Sequence, residues 1–289
     1  MSSARIVIQG RCVTTALVQE AARLCGAARI AQRTPSLWTC EDLVAAPAAA
    51  PAGVLRARLR ALGDAAQADI NCIAVPRPLE RFRLAVMDMD STLITIECID
   101  EIADMLGIKP QVAAITESAM RGEMAYPESL RRRVALLKGL NASALELVYQ
   151  ERLQLSPGAE RMLARFKAAG LKTLLVSGGF TFFTERLKAR LGLDFAHANS
   201  LGVEHGKLSG TVTGPLVDAG EKARLLLATC AQLGCTASDT IALGDGANDL
   251  QMMALAGLSV AYRGKPVVRA QAMTAISHNG LDAVLDFFD

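Results

Sequence analysis

Aromatic residues are scarce in this chain, only 4% of its 289 positions, with a single tryptophan and three tyrosines. Its apolar half is dominated by alanine and leucine instead, the composition of a helix-rich α/β protein rather than an aromatic-cored β-sandwich. Histidine is rarer still. His197, His205 and His278 stand apart from one another and outside every motif, so surface or hairpin positions are expected for them rather than catalysis. The seven cysteines (12, 25, 40, 72, 98, 230, 235) include no CxxC pair and no histidine at zinc spacing. A zinc site and a disulfide framework are both excluded by this reading, which leaves reduced thiols behaving as small buried hydrophobes. Charge of one sign is lacking too: 31 basic against 29 acidic side chains leave +2, and Arg131-Arg132-Arg133 is the one basic block. That argues against a dedicated nucleic-acid surface. No apolar run approaches the ~20 residues of a membrane span, and the N-terminus carries no long signal-peptide core. A soluble, cytoplasmic protein is expected.

The chain is long enough for one large domain or two smaller ones. Residues 1–80 read as a unit of their own. RIVIQG is a strand, TTALVQEAARLCG a helix, and ARIAQR and WTCEDLVA are two further strands. A low-complexity AAPAAAPAG loop follows, then the helical VLRARLRALGDAA and the strand INCIAV. The order βαββαβ is the ferredoxin-like pattern, with Trp38 packing inside it. Pro76 and Pro78 mark a linker. Residues 81–289 alternate apolar runs with helices, which predicts a doubly wound parallel sheet. FRLAVMDMD, LKTLLVSGGF, TIALGDGANDL and LSVAYRG are its strands, and SLGVEHGKLSGTVTG reads as a hairpin. The Met pair of DLQMMALAG has helical spacing and belongs in the core. Residues from about 97 to 155 are helical in character and interrupted by Gly107, Gly122 and Gly139, as an insertion after the first strand.

Three of those runs end in polar, glycine-rich turns: DMDST, VSGGF and GDGAND. Alone, each has a bland reading, as an Asx turn, a strand-to-helix turn or an Asp-Gly loop. Ligands of open α/β sheets bind beyond the carboxyl ends of the strands. The three turns can therefore bring Asp88, Asp90, Ser177, Asp245, Asn248 and Asp249 together. Four carboxylates so placed need a cation, and oxygen ligands without histidine or cysteine select Mg²⁺.

DMDST, SGG, the lysine of GEKARLL and GDGAND together resemble the haloacid-dehalogenase superfamily of aspartate-nucleophile phosphotransferases. DMDSTLITIECIDEIA and the insertion segment SLRRRVALLKGL are similar to the branch of that superfamily that hydrolyses O-phosphoserine. The resemblance runs from about Phe82 to the C-terminus and implies the roles that follow. Asp88 is the nucleophile and Asp90 the acid–base. Asp88, the Asp90 backbone carbonyl, Asp245 and Asp249 surround Mg²⁺. Ser177, Gly178, Gly179 and Lys222 hold the phosphoryl oxygens, with Asn248 beside them. The insertion is a small lid in which Glu97 takes the substrate ammonium and Arg133 its carboxylate, between Met120 and Tyr126 as apolar walls.

The bland alternatives are a helix N-terminal acid for Glu97 and a solvated face for the arginines, accepted here for Arg131 and Arg132. A phosphothreonine or phosphohomoserine enzyme, or an amino-acid-binding sensor, are the competing functions. The N-terminal region resembles amino-acid-sensing regulatory domains of the ACT type. It implies a homodimer formed through that region.

Overall fold

The structure, a computed structural model, describes residues 4–43, 52–73, 77–120 and 123–288; the side chains of Ala52 and Met120 lie outside the description. Most of the AAPAAAPAG loop, Pro76, Gly122 and the Met120 side chain therefore fall outside the described residues.

The N-terminal unit comprises β1 (Arg5–Gln9), α1 (Thr15–Cys25), β2 (Ala27–Thr34), β3 (Leu37–Leu43), α2 (Ala52–Ala65) and β4 (Asp69–Ile73). Thr14 starts α1 by accepting the Leu17 N–H on its hydroxyl, and Gly26, at φ 65°, ends it. This is the usual pairing of a hydroxyl N-cap with a left-handed glycine. The four strands lie in the order β2-β3-β1-β4, the ferredoxin-like arrangement expected from the βαββαβ pattern. One face packs on the helices through Ile6, Ile8, Val18, Leu59 and Ile70, with Trp38 against the cluster.

The larger unit opens with β5 (Leu84–Met87). Next come the insertion helices α3 (Cys98–Asp104), α4 (Lys109–Met120), α5 (Tyr126–Ala135) and α6 (Ser143–Leu147), then α7 (Ala159–Ala168). The chain continues through β6 (Lys172–Phe180), α8 (Thr181–Leu191), β7 (Phe195–Glu204), β8 (Lys207–Thr213), α9 (Ala219–Leu233) and β9 (Thr240–Gly244). It closes with α10 (Leu250–Leu255), β10 (Leu258–Tyr262), α11 (Pro266–Gln271) and β11 (Thr274–Ile276). The seven strands order as β11-β10-β9-β5-β6-β7-β8. All neighbours are parallel except β7 and β8, the expected hairpin, whose second strand forms an antiparallel edge. Strand β11 was not legible in the sequence; three residues, Thr-Ala-Ile, are too few to show a period.

β5 is buried on both faces, as a central parallel strand must be. Ala85 and Met87 join one apolar cluster with Phe166, Leu175 and Leu243. Leu84 and Val86 join the opposite one with Leu226, Met252 and Val268. The chain runs from β5 to β6–β8 on one side and to β9–β11 on the other, so a topological switch point lies at the carboxyl end of β5. Register fixes what meets there. Met87 pairs with both Leu175 and Leu243, which puts Asp88, Ser177 and Asp245 at the same edge.

The insertion leaves and re-enters the core at one place. Thr95 N–H bonds to Gln154 O at 3.0 Å and Ser156 N–H to Leu93 O at 2.9 Å. Its far side is fastened to the β7–β8 hairpin through Gly139 N to Leu208 O and Ala142 N to Gly206 O, each 2.8 Å.

The two units are docked rather than merely linked. Asn71 of β4, almost wholly buried, both donates to Ala275 O and accepts from Ala275 N, each at 2.8 Å. Asp69 accepts from the backbone N–H groups of Ser277, His278 and Asn279. Arg60 places its guanidinium on the carbonyls of Arg269, Ala272 and Met273 at the end of α11. His278 thus sits at this junction, 3.1 Å from Asp64.

All seven cysteines are unpaired. The expectation of uniformly buried thiols needs correction: Cys12 is exposed and Cys72 and Cys235 are half-buried. Cys12 lies in a turn between β1 and α1, where no core is available to it. No helix among the described residues is long and apolar enough to cross a membrane.

Candidate active site

Beyond Met87 the chain does not enter a regular helix. Residues Met89–Leu93 form one wide π-type turn, closed by Ile94 N–H on Met89 O at 3.0 Å, with Ser91 at φ 55°. The turn places both aspartates of DMDST at the mouth of the sheet. Asp88 is 5% exposed and accepts from the Met89 N–H. Asp90 accepts the Cys98 N–H at 3.0 Å, and Ser177 Oγ lies 3.4 Å away.

Lys222 reaches the same point from the first turn of α9, whose start is fixed by the Asp218 side chain accepting Glu221 N–H. Its ammonium, 1% exposed, donates to Asp88 Oδ1 and Asp249 Oδ1, both at 2.7 Å. Asp249, fully buried, also accepts the Gly246 N–H on its second oxygen. Asp245 accepts the Thr92 hydroxyl at 3.3 Å. Asp88, Asp245 and Asp249 each offer an oxygen within 4.8 Å of the others.

Burial lifts Asp88 well above the usual carboxylate range, Asp249 and Asp245 push it further, and Lys222 opposes them. Asp90 is pushed up to about 7, by its desolvated setting first and Glu97 second, against the restraining Cys98 bonds. Asp245 rises to about 6 through burial, Asp249 and Glu97, with Lys265 and Lys222 opposing. For Lys222, burial favours the neutral amine, but Asp249 and Asp88 more than offset it and hold the group raised. Three clustered carboxylates against one ammonium fit a hard divalent cation, which would relieve what protonation otherwise must.

Asp88, Asp90 and Asp245 line a cavity of about 550 Å³. Ser177, Gly178 and Gly179 form one wall, Asp245 and Asn248 another, and Glu97, Tyr126 and Arg133 face them from the insertion. Glu97 is exposed, accepts the Ser91 hydroxyl at 2.7 Å, and caps no backbone N–H of α3. Arg133 is half-buried and donates to Ser129 O, while Arg131 and Arg132 are exposed, as the division among the three arginines anticipated. Among the described residues, those singled out from the motifs line this one cavity except Lys222 and Asp249, which meet it through the bond from Lys222 to Asp88.

Four participants escaped sequence reasoning: Thr92, Asn199, Lys265 and the hydroxyl of Tyr126. Asn199 is wholly buried, with Nδ2 on Gly178 O at 2.7 Å and Oδ1 accepting Val217 N–H at 2.8 Å. Its one signal was a polar residue inside the strand-like FAHANSLGV. Lys265 lines the cavity from the loop before α11 and donates its backbone N–H to Asp245 O.

A parallel sheet whose switch point gathers a carboxylate pair, a lysine and an acidic turn holds the groups that an enzyme of phosphoryl transfer needs. A family model for haloacid dehalogenase-like hydrolases matches residues 82–257, and the chain belongs to that family. It is 54% identical over 222 residues to a phosphoserine phosphatase of Polaromonas sp. (strain JS666), an alignment covering 75% of this chain and 94% of that one. A crystal structure of a probable phosphoserine phosphatase from Vibrio cholerae superposes with a TM-score of 0.80 at 37% identity, covering 99% of this chain and 86% of its own. A phospho-aspartyl intermediate analogue of phosphoserine phosphatase superposes at 0.68 and 38% identity, covering 72% of this chain and 99% of its own.

Proposed function

We propose that the chain is a Mg²⁺-dependent phosphatase that hydrolyses O-phospho-L-serine to L-serine and phosphate, the last step of L-serine biosynthesis. One observation carries the substrate: Glu97 and Arg133, opposite in charge, face the Asp88 cavity from the lid. A zwitterionic amino acid offers an ammonium to the first and a carboxylate to the second, the latter as a bidentate pair. The names of the relatives support the same substrate.

In this reading an Asp88 oxygen attacks phosphorus in line, and the P–O bond to serine breaks as the P–O bond to Asp88 forms. Asp90, poised near neutrality, gives its proton to the leaving serine oxygen. It then takes a proton from the water that cleaves the aspartyl-phosphate. Lys222, Ser177 and the Gly178–Gly179 backbone hold the phosphoryl oxygens as charge shifts, with Asn248 at the rim. Asp88, Asp245, Asp249 and the Asp90 carbonyl would hold Mg²⁺, which supplies charge neutralisation between an anionic nucleophile and an anionic substrate.

The same reading divides the chain at about residue 80 into a regulatory unit and a catalytic one. β2 is the outer strand of the N-terminal sheet, paired only with β3 among the described residues, and this supports pairing of two subunits along it. Seven free thiols support a reducing, cytoplasmic setting. A malachite-green phosphate assay on phosphoserine, phosphothreonine and phosphohomoserine, with and without Mg²⁺, tests the proposal. Release confined to the cation-containing phosphoserine arm is expected; a stronger rate on either neighbour would reassign the substrate.

A further inference from the structure

The peptide joining Gly178 to Gly179 is held at both ends. Its carbonyl accepts two donors, Asn199 Nδ2 at 2.7 Å and the Tyr126 hydroxyl at 3.2 Å. Its N–H donates to Ser177 Oγ at 2.8 Å. Because a peptide unit is planar, fixing the carbonyl direction fixes the N–H direction on the opposite side. The two donors come from different parts of the molecule. Asn199 belongs to β7 in the core, whereas Tyr126 is the first residue of α5 in the lid. The glycine at 178 is explained by this approach rather than by backbone conformation: a Cβ there would meet the Tyr126 hydroxyl. At 179 a Cβ would meet the Asp90 carboxylate and Ser177 Oγ. The linkage extends further, since Asn199 Oδ1 accepts the Val217 N–H, one residue before the cap of the helix that carries Lys222. Burial raises the Tyr126 phenol, so it remains a donor through the neutral range.

We infer that the Tyr126 hydroxyl is a positioning group of the lid that pins the Gly178–Gly179 peptide of the core, and through its N–H the Ser177 hydroxyl, when the lid is down. Lid closure is thereby registered by the phosphate site and not only by the amino-acid end of the substrate. The inference rests on the phosphatase reading given above, but it makes a separate demand: Tyr126 acts on the phosphoryl half, which every substrate shares.

Tyr126→Phe tests it, because phenylalanine fills the same space and deletes the donor alone. Measured on the full chain with Mg²⁺, kcat/KM is expected to fall about 3- to 10-fold on phosphoserine and equally on p-nitrophenyl phosphate, the worth of one hydrogen bond. Orthovanadate affinity, followed by titration calorimetry, is expected to weaken by the same factor, with the melting temperature within ~2 °C of wild type. A purely packing role would leave vanadate affinity untouched. Unchanged vanadate affinity, or a loss confined to phosphoserine, overturns the inference. Failure of the wild-type chain to act on phosphoserine would instead overturn the substrate assignment, and the comparison on p-nitrophenyl phosphate and vanadate would still decide the role of Tyr126.

Discussion

Lys222 Nζ stands 2.7 Å from Oδ1 of Asp88, and both side chains are shut away from solvent. One ammonium is thus shared between two carboxylates, since Asp249 takes a second bond from it, and Asp245 completes the acidic cluster. The acidic cluster outnumbers the ammonium bonded to it, an excess that a divalent cation would offset. Asp88→Asn should remove turnover completely while raising the melting temperature of the cation-free protein, because a buried like-charge contact disappears. With wild-type enzyme, Mg²⁺ and beryllium fluoride should leave a phosphate mimic on Asp88. Retained activity in the variant, after deamidation is ruled out by mass, would remove Asp88 from the nucleophile's role.

The raised acids set a pH dependence with a definite sign. Asp245 at about 6 and Asp90 at about 7 both lie above their unfolded values near 4, so folding favours their protonated forms. Their contribution to stability is complete below about pH 4 and is lost as pH rises through 6 to 7. The cation-free protein should therefore melt lower at pH 8 than at pH 5.5. Mg²⁺ should raise the melting temperature more at pH 8, where it does not compete with protons. A Mg²⁺ effect equal at both values would contradict the assignment of Asp245 to the cation.

Arg133→Ala separates substrate from chemistry. Truncating one partner of a hydrogen-bonded charge pair costs ~2–5 kcal/mol, roughly 30- to 4,000-fold in kcat/KM. The half-buried position of Arg133 places the expectation toward the lower end. The loss should appear on phosphoserine and be far smaller on p-nitrophenyl phosphate, with Glu97→Gln showing the same asymmetry. Arg133→Lys should recover part of it, since a point charge cannot reproduce the fork. Equal losses on both substrates would assign Arg133 to phosphate or to lid packing.

At the domain junction, Asn71→Leu should lower stability by about 2–4 kcal/mol, because it strands a buried N–H and a buried C=O of Ala275 at once. Urea denaturation followed at Asn71→Leu and at the exposed control Arg58→Ala measures this. A change below ~0.5 kcal/mol would mean that the junction opens freely in solution. For the same reason a chain beginning near Pro78 is expected to be markedly less stable than the full protein.

The parts of the fold that could be read in advance were those with a period or a spacing. The βαββαβ order and the apolar strands closing on DMDST, VSGGF and GDGAND were of this kind. What escaped depended on contacts made across the chain. Asn71 looks like any polar residue in a short strand until Ala275 is placed beside it, more than 200 residues away. Asn199 and the Tyr126 hydroxyl acquire their role from one carbonyl on a third element. β11 has no local signature because its stability comes from β10 on one side and β4 on the other.

The pairing of Thr95 with Gln154 and of Leu93 with Ser156 has a consequence for how such molecules can vary. Both ends of the insertion emerge from the sheet side by side, and beyond that doorway it touches the core through Cys98 on Asp90, Tyr126 on Gly178 and the β7–β8 hairpin. Residues between those ends that make none of these contacts can be lengthened, shortened or recoloured without disturbing the strand register that aligns Asp88, Ser177 and Asp245. Recognition is therefore editable within one chain so long as those contacts are kept, and exchanging the other cavity-facing residues between Thr95 and Gln154 is the natural route to a new substrate on unchanged chemistry.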